Sequence, residues 1–187
     1  VGGPLVRAGL VSSLDATVLM PASCWGRDGL QELSSQVIAL FNSGTPPRKI
    51  FPAGLAFDLL PEVGQRLENG ATVGELMAET QLSRILGGEL ESAIRLVGVP
   101  LFSGVSAQVD IQMPTATDAA LVSKILADGG AVLAEEGSGG PAATPRKVEG
   151  EPFVHVSRVR CAGHRLQLWA TMDNLRAAAT VAVANAG

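Results

Sequence analysis

The sequence predicts an α+β fold, in which a mostly antiparallel or mixed sheet carries helices packed on one face. Segments with the two-residue alternation of strands and segments with helical periodicity both occur, and they follow one another without regular βαβ order. No internal repeat is present. Because 187 residues suit one domain, we expect residues 1–187 to form a single unit.

The first third of the chain predicts a helix, a strand and a second helix. Gly3-Pro4 followed by LVRAGL is typical of a short helix, and of the tail of a longer one. Residues 14–23, LDATVLMPAS, are rich in β-formers and predict a strand. Asp28 is expected to cap the next helix, which ends at Gly44. The apolar stripe of that helix comprises Leu30, Leu33, Val37, Ile38 and Phe41.

The middle of the chain predicts irregular structure, then a helix and a strand. FPAGLAFDLLPEVG is apolar but contains two prolines, which favours short turns. Thr72 with Glu75 three residues later is the pattern of a capping box, and Gly87-Gly88 ends the helix. Residues 92–104, SAIRLVGVPLFSG, predict a strand.

Residues 105–113, VSAQVDIQM, alternate strictly between apolar and polar side chains. This pattern predicts a strand of an antiparallel sheet with one buried face and one wet face. The expected buried positions are Val105, Ala107, Val109, Ile111 and Met113, and the expected wet positions are Ser106, Gln108, Asp110 and Gln112.

The last third predicts a helix, several strands and a closing helix. TATDAALVSKILADGG is expected to start a helix at Thr117, and AVLAE is consistent with a short strand. Residues 135–152 form a charged loop rich in Gly, Pro and Ala. FVHVSRVRC and RLQLWATM predict two strands joined at Ala162-Gly163, and a helix of small residues follows them.

Composition excludes several classes of protein. The chain is 47% hydrophobic with a mean hydropathy of +0.29, yet no uncharged apolar run approaches the length of a membrane span. The apolar excess predicts either an Ala- and Val-rich core or a large contact with another chain or domain. A net charge of −4, with 4% aromatic residues and no basic stripe, argues against nucleic-acid binding.

Cysteine usage and the first residues predict a cytoplasmic protein. Cys24 and Cys161 are far apart and fit no CxxC pattern, so no disulfide framework is expected. VGGPLVRAGL lacks the features of a signal peptide. It also lacks an initiator Met, which is consistent with a processed or shortened piece.

No intact catalytic arrangement is visible in the residues themselves. Gly137 and Gly139 are followed by prolines where a phosphate-binding helix would open, so a surface loop is favoured. The candidate bases are His155 and His164, and pairing of Cys24 with a histidine is disfavoured relative to an ordinary small apolar residue.

Neither the charged pairs nor the potential metal-ligating residues of the sequence indicate a functional site. Two histidines without acids at helical spacing predict no metal site. Glu135-Glu136 is typical of a solvated surface. Arg158 and Arg160 are expected to share one face of a strand, where they either bind an anion or, more typically, contact solvent or an acidic partner.

Several segments together resemble the aspartate-semialdehyde dehydrogenase family. The closing FVHVSRVR, LQLWATMDNLRAAATVAVANAG is similar to the end of that family, with an Arg-x-Arg strand, a Leu-Trp strand, Asp-Asn-Leu and a small-residue helix. ATVLMPASCWGRDGLQELSSQ, IFPAGLAFDLLPEVG, ENGATVGELMAETQLSRIL and VGVPLFSGVSAQVDI resemble earlier segments in the same order. Within the family, the likeness is greatest to the Usg-type paralogues.

The resemblance implies a two-part protein of which this chain is the second part, the dimerisation and catalytic domain. The first part of such proteins binds NADP and leads to the nucleophilic cysteine, and neither Cys24 nor Cys161 lies at that position. The resemblance therefore implies no cofactor in this chain itself, NADP in a longer parent, a homodimer, and contact with the parent's nucleotide-binding domain.

The resemblance also implies that the family's functional side chains are replaced here. Met20 lies where the family has a Gln that orients the thioester. Gly74 and Met77 fall on a substrate-binding Glu and a phosphate-binding Lys. Gly98 falls on a substrate-binding Arg, and Val105 falls on the general-base His. None of these replacements can move a proton or bind an anion, so no catalytic residue is predicted.

Asp173 and Asn174 have two interpretations. As local structure, either residue can cap the last helix, and the charge of Asp173 favours the helix's positive end. By resemblance, the pair lies near the cofactor, although Ala178 replaces the family's usual glycine in that helix. For this chain alone, capping is the favoured interpretation.

Three functions remain open. The first is a dimerisation domain with degenerate chemistry. The second is a fragment of an active NAD(P)-dependent oxidoreductase that acts on an aldehyde or oxo group. The third is a pseudoenzyme that pairs with an active relative.

Overall fold

The computed structural model describes residues 1–88, 90–134 and 142–186, the last three of these as backbone only. Its helices and strands are α1 Gly2–Arg7, β1 Ser13–Met20, a 3₁₀ turn Ala22–Trp25, α2 Gly26–Phe41, α3 Val73–Leu86, β2 Glu91–Gly98, β3 Val105–Gln112, α4 Ala119–Asp128, β4 Val132–Leu133, β5 His155–Ala162, β6 Arg165–Met172 and α5 Asn174–Ala186.

The strands form one mixed sheet in the order β2-β1-β3-β6-β5-β4. β1 is parallel to β2 and β4 is parallel to β5, whereas β3 is antiparallel to both of its neighbours and β5 is antiparallel to β6. The prediction of a mixed α+β fold is therefore confirmed.

One face of the sheet is apolar and is packed against helices. Leu5 of α1 and Val122 and Leu126 of α4 are fully buried in the same cluster as Ile111 and Leu166 of the sheet. α3 adds the partly buried Ala78 and Leu82 to this cluster. Burying these aliphatic side chains removes apolar surface from water at about 25 cal/mol per Å², and this is the main stabilising term of the layer.

The alternation predicted for residues 105–113 is correct, but the burial at its start is different. Val109, Ile111 and Met113 are buried as expected. Ser106, expected on the wet face, is buried as well, whereas Val105 and Ala107 are only half-buried. Val105 and Ala107 border a cavity on the apolar face, whereas Ser106 on the opposite face lies 2.8 Å from the hydroxyl of Thr171.

The second helix begins earlier than predicted, and only the first part of its predicted stripe, Leu30, Leu33 and Val37, packs against the protein. Asp28 is not the cap, because α2 starts at Gly26 and Asp28 lies within its first turn. Leu33 is buried and packs with Phe51 of the following loop, but Ile38 and Phe41 of the predicted stripe are exposed.

Two polar side chains of α2 are buried where an apolar stripe was expected. Glu32 accepts hydrogen bonds from the backbone N–H groups of residues 49, 50 and 51 at 2.9–3.0 Å. Gln36 accepts from the N–H groups of Leu55 and Ala56, and its amide donates to Glu32 and to the carbonyl of Pro47. These bonds fix the irregular segment 47–56 on the helix.

Other element boundaries also differ from the predictions. β1 and β2 stop at Met20 and Gly98, several residues before the predicted ends. The cap of α4 is Asp118, whose side chain accepts from the N–H of Leu121, rather than Thr117. The predicted short strand of AVLAE is Val132–Leu133.

A β-bulge between Ser157 and Arg160 breaks the alternation of β5. Arg158 has a left-handed backbone with φ of 56°, so Arg158 and Arg160 do not follow the regular two-residue repeat that predicted a shared face. Both side chains are exposed. The predictions for Glu135-Glu136, Gly137 and Gly139 lie outside the described residues.

Candidate functional site

Three of the five positions that the family resemblance assigns to chemistry, Met20, Gly98 and Val105, lie together at one end of the sheet. Met20 at the end of β1 is the register partner of Gly98 at the end of β2. Val105 opens β3 opposite Met172, the last residue of β6. Since α5 begins directly after β6, the Asp-Asn pair lies at this same end.

The start of α5 is fixed by Asp173, whose two carboxylate oxygens are both engaged. Oδ1 accepts from the N–H groups of Leu175 and Arg176 at 3.0 and 2.9 Å, and Oδ2 accepts from the N–H of Gly150 at 2.8 Å. Burial by itself would raise the pKa of Asp173, but these hydrogen bonds and the charge of Arg176 hold its pKa below the usual value. Asp173 therefore caps α5, as the local interpretation predicted, and ties it to the segment before β5.

Asn174 joins three segments that are distant in sequence. Its Oδ1 accepts from the N–H of Gly104 at 3.0 Å, and its Nδ2 donates to Ser23 Oγ at 3.0 Å. Ser23 lies in the 3₁₀ turn after β1, and Gly104 directly precedes β3. These partners are 151 and 70 residues from Asn174, so no local sequence pattern could have indicated them.

Gly98 is packed closely by apolar side chains. A Cβ added at Gly98 would lie 3.2 Å from Leu60 Cβ and 3.5 Å from the ring of Trp25. Leu60 is held in place because Leu60 and Gly98 exchange two backbone hydrogen bonds, at 2.9 and 2.8 Å. A long cationic side chain at this position would require Leu60 to move.

The start of α3 presents a structural carboxylate to β2. The predicted capping box is present, because Thr72 and Glu75 bond each other's N–H groups. Glu75 also accepts from the N–H of Leu96 and lies 3.7 Å from Arg95. Burial alone would raise the pKa of Glu75, but these contacts lower it.

The resemblance also assigns chemistry to Gly74 and Met77 on α3, and neither residue joins the site at the end of the sheet. A Cβ at Gly74 would lie 3.1 Å from Leu96 Cδ1, and Met77 is exposed. The sequence predicted Glu75 only as part of the capping box. No local pattern indicated that it also accepts a hydrogen bond from the edge strand, at the N–H of Leu96.

Buried polar side chains line the opposite face of the sheet near Val105. Ser106 Oγ and Thr171 Oγ1 are 2.8 Å apart, and Thr171 donates to the carbonyl of Val105. His155 is the register partner of Thr171 and is buried. Its Nε2 lies 2.8 Å from Glu151 Oε2, an ion-pair distance without the alignment of a hydrogen bond.

Neither cysteine has the environment of a catalytic thiolate. Cys24 is exposed overall, yet partial burial of its thiol raises its pKa. Burial and the nearby charge of Asp118 raise the pKa of Cys161. No imidazole contributes to either shift, and His164 instead places Nδ1 3.1 Å from the carbonyl of Met113. Because the thiolate is the reactive form, both thiols are expected to be poor nucleophiles.

Within residues 1–88, 90–134 and 142–186, no group of three or more His, Cys, Asp or Glu side chains is arranged to hold a metal ion. Over the same part of the chain, no helix combines the length and the apolar character that crossing a bilayer requires.

Comparison with known proteins decides the family. The family model described as semialdehyde dehydrogenase, dimerisation domain, matches residues 3–177. This chain belongs to that family. The aspartate-semialdehyde dehydrogenase of Rickettsia bellii is 33% identical over 160 residues, which is 83% of this chain and 47% of the relative. The USG-1 protein homolog of Azotobacter vinelandii is 30% identical over 177 residues, 92% of this chain and 52% of the relative.

A solved structure confirms the architecture of this dimerisation domain. The aspartate semialdehyde dehydrogenase II of Vibrio cholerae, complexed with ASA, superimposes with a TM-score of 0.89 at 28% identity. The match covers 98% of this chain and 56% of that one. The chain therefore spans about half the length of the curated relatives and of the solved structure that it matches. The identities do not separate the dehydrogenase-named relatives from the USG-1 homologue.

Proposed function

We propose that this semialdehyde dehydrogenase dimerisation domain serves as a dimer scaffold and has lost the family's catalytic side chains. The observation that carries the proposal is the chemistry of the sheet end. Met20, Gly98 and Val105 meet there, and none of them offers a group that can transfer a proton or bind an anion. The packing of Leu60 against Gly98 supports the loss of the substrate-binding Arg. Leu60 fills the space next to the Gly98 Cα that an arginine side chain would occupy.

The proposal predicts no turnover. The purified chain is assayed with aspartate semialdehyde, phosphate and NADP, and we expect no rate above a buffer blank. Val105→His, which restores only the base, is expected to remain inactive because it has no thiolate to activate. A steady rate from either protein would contradict the proposal.

The open face of the sheet supports a homodimer. Since helices cover most of the apolar face, the copies would meet through the opposite face, whose middle carries the exposed side chains of Asp15 and Thr17. Asp15 and Asp110 are register partners in the middle of that face, while Arg160 and Arg165 lie on the strands toward one edge. In a two-fold contact the same face meets itself, so the acidic centre of one copy can approach the arginines of the other.

Light scattering after size exclusion tests the dimer. At micromolar concentration we expect a mass twice the chain mass of 19.2 kDa. Asp15→Arg, on the open face, is expected to give monomers, whereas Lys124→Glu on the exposed side of α4 is the matched charge-change control. A monomeric unmodified chain would contradict this part of the proposal.

The chain matches only about half the length of its relatives, which favours a second candidate function. In this second candidate, the chain is a fragment of an active NADP-dependent oxidoreductase. The chain spans 47% of a relative named as a dehydrogenase. Asp173 and Asn174 would then be the cofactor contacts of this half. Their fit to NADP is poor as they stand, because their side-chain oxygens already accept hydrogen bonds within the chain. A longer gene product with a glycine fingerprint and a cysteine, and calorimetric NADP binding by it, would favour this candidate.

The predicted cytoplasmic location remains part of the proposal. Cys24 and Cys161 are both free thiols, which is compatible with a reducing compartment. Localisation of a tagged chain by cell fractionation tests it.

A further inference from the structure

A row of four side chains crosses the open face of the sheet from β1 to β5. Asp15 on β1 is the register partner of Asp110 on β3. Asp110 is in turn the partner of Gln167 on β6, which is the partner of Arg160 on β5. Because register partners on neighbouring strands share one face of a sheet, these side chains lie side by side. Two carboxylates therefore occupy one half of the row, and a guanidinium lies in the other half.

The charges of this row are not balanced within the chain. Like charges that lie directly opposite each other on adjacent strands destabilise a sheet. The amide of Gln167 donates to Asp110 Oδ1 at 2.6 Å, but this donor is neutral. Among the residues that the structure describes, no ion pair includes Asp15 or Arg160, and both side chains are exposed. Both charges are therefore available to groups outside the chain.

The neighbouring rows carry the same polarity. The row beside Asp15 begins with Glu91 on β2 and reaches Arg165 on β6. Arg95 on β2, in the row on the other side, is an exception, but it already lies 3.7 Å from the carboxylate of Glu75. The open face is therefore acidic on the side of β2, β1 and β3, and basic on the side of β6 and β5.

We infer that the two-fold axis of the homodimer runs parallel to the strands and passes between β3 and β6, so that Asp15 of each copy pairs with the partner subunit's Arg160. This inference rests on the proposed function, because it assigns a geometry to the homodimer proposed there. In a two-fold contact the same patch meets itself, and this axis places the acidic half of one copy over the basic half of the other. An axis along the row would instead place Asp15 over the partner subunit's Asp15, a like-charge contact that disfavours that arrangement.

The dimensions of packed sheets allow this pairing. Neighbouring strands are about 4.8 Å apart, so Asp15 and Arg160, which lie three strands apart, are each about 7 Å from the proposed axis, on opposite sides of it. Stacked sheets are about 10 Å apart, a gap that extended arginine and aspartate side chains bridge together. The same axis places Asp110 opposite the partner subunit's Gln167, a neutral group that can donate to it.

Mixing two charge variants tests the inference. Asp15→Arg has arginine at both positions and Arg160→Asp has aspartate at both, so neither variant can form the pair with itself. We expect each variant alone to self-associate at least about a hundredfold more weakly than the unmodified chain. An equimolar mixture is expected to form a heterodimer with about the unmodified affinity, because each copy supplies the charge that the other lacks. Light scattering and native mass spectrometry measure both.

Lys124→Glu on the exposed side of α4 is the matched control. It keeps Asp15 and Arg160, so it is expected to form its own dimer and no heterodimer with Asp15→Arg. If it does form that heterodimer, position 15 of one copy faces position 15 of the other, and the inference is overturned.

The remaining outcomes separate this inference from the proposed function. If the unmodified chain is a dimer but the mixture of Asp15→Arg with Arg160→Asp stays monomeric, the inference is overturned and the proposed homodimer stands. A single variant that dimerises like the unmodified chain also overturns it. A monomeric unmodified chain overturns both. Circular dichroism checks the fold of each variant, and Asp15→Lys with Arg160→Glu replaces the first pair if either of its members unfolds.

Discussion

At the scale of single residues, buried polar side chains determine how irregular segments are held. Glu32 and Gln36 are one helical turn apart on α2, and together they accept five backbone N–H groups from residues 49–56. Those N–H groups belong to a segment without regular secondary structure, which cannot satisfy them within itself. The two side chains therefore act in place of a missing strand partner.

Replacing Glu32 by Gln tests this role. The amide keeps the size of the side chain, but one oxygen becomes a donor that faces backbone N–H groups, so we expect the free energy of unfolding to fall by about 1–3 kcal/mol. Glu62→Gln is the control, since Glu62 forms only an exposed pair with Arg66, and its expected loss is about 0–1 kcal/mol. Urea unfolding measures both. Equal losses would show that Glu32 does not hold the segment.

Gly98 carries the second prediction at this scale. Because a Cβ would approach Leu60 Cβ to 3.2 Å, and Leu60 is held by two backbone bonds, Gly98→Ala is expected to lower the free energy of unfolding by about 1–3 kcal/mol. Gly88→Ala is the matched control, since a Cβ there meets nothing within 4 Å. Thermal unfolding compares the two. A neutral Gly98→Ala would mean that a side chain fits there, and would weaken the argument that the family's Arg is excluded.

At the scale of elements, α3 closes the exposed edge of the sheet. β2 is an edge strand, and its N–H groups at Ile94, Leu96 and Gly98 are taken by Glu79, Glu75 and the carbonyl of Leu60. An edge strand with unpaired N–H groups is a template for association with other chains. Helix carboxylates therefore do here what a neighbouring strand does in the interior of the sheet.

Glu75→Ala is expected to disturb both the helix and the edge. It removes the capping box and leaves the buried N–H of Leu96 without a partner, for a loss of about 2–4 kcal/mol. Hydrogen exchange of the Leu96 amide is expected to accelerate with it. Glu68→Ala, an exposed substitution just before α3, is the control. Unchanged exchange at Leu96 would contradict the role of Glu75 at the edge.

Sequence patterns predicted the elements well where the signal was local. The capping box of α3 and the alternation of β3 depend on residues a few positions apart, and both were correct. The predicted strand ends were wrong at Met20 and Gly98, because apolar residues continue beyond them into turns that tertiary contacts define. The stripe of α2 was wrong at Ile38 and Phe41, because the helix packs on a loop through Glu32 and Gln36 and not through a purely apolar side.

At the scale of the whole molecule, the two faces of the sheet have different roles. The apolar face holds the helices and leaves a cavity of about 330 Å³ beside Val1, and in the proposed homodimer the polar face meets a second copy. The candidate site could be placed in advance only through the family resemblance. The contacts of Asn174 with Ser23 and Gly104 cross most of the chain, and no spacing rule encodes them.

Acid stability is the property in which the three buried carboxylates act together. The pKa values of Glu32, Glu75 and Asp173 are all lowered in the folded chain by hydrogen bonds that outweigh burial. A group with a depressed folded pKa contributes stability that is fully present above its unfolded pKa, about 4, and is lost as pH falls through the folded pKa. Urea unfolding between pH 7 and pH 2 is therefore expected to show a plateau followed by a steep loss below about pH 4. The triple variant Glu32→Gln, Glu75→Gln, Asp173→Asn is expected to be less stable at neutral pH and to have a flatter profile in acid. Parallel profiles for the two proteins would mean that other groups control acid unfolding, since the substituted amides do not titrate.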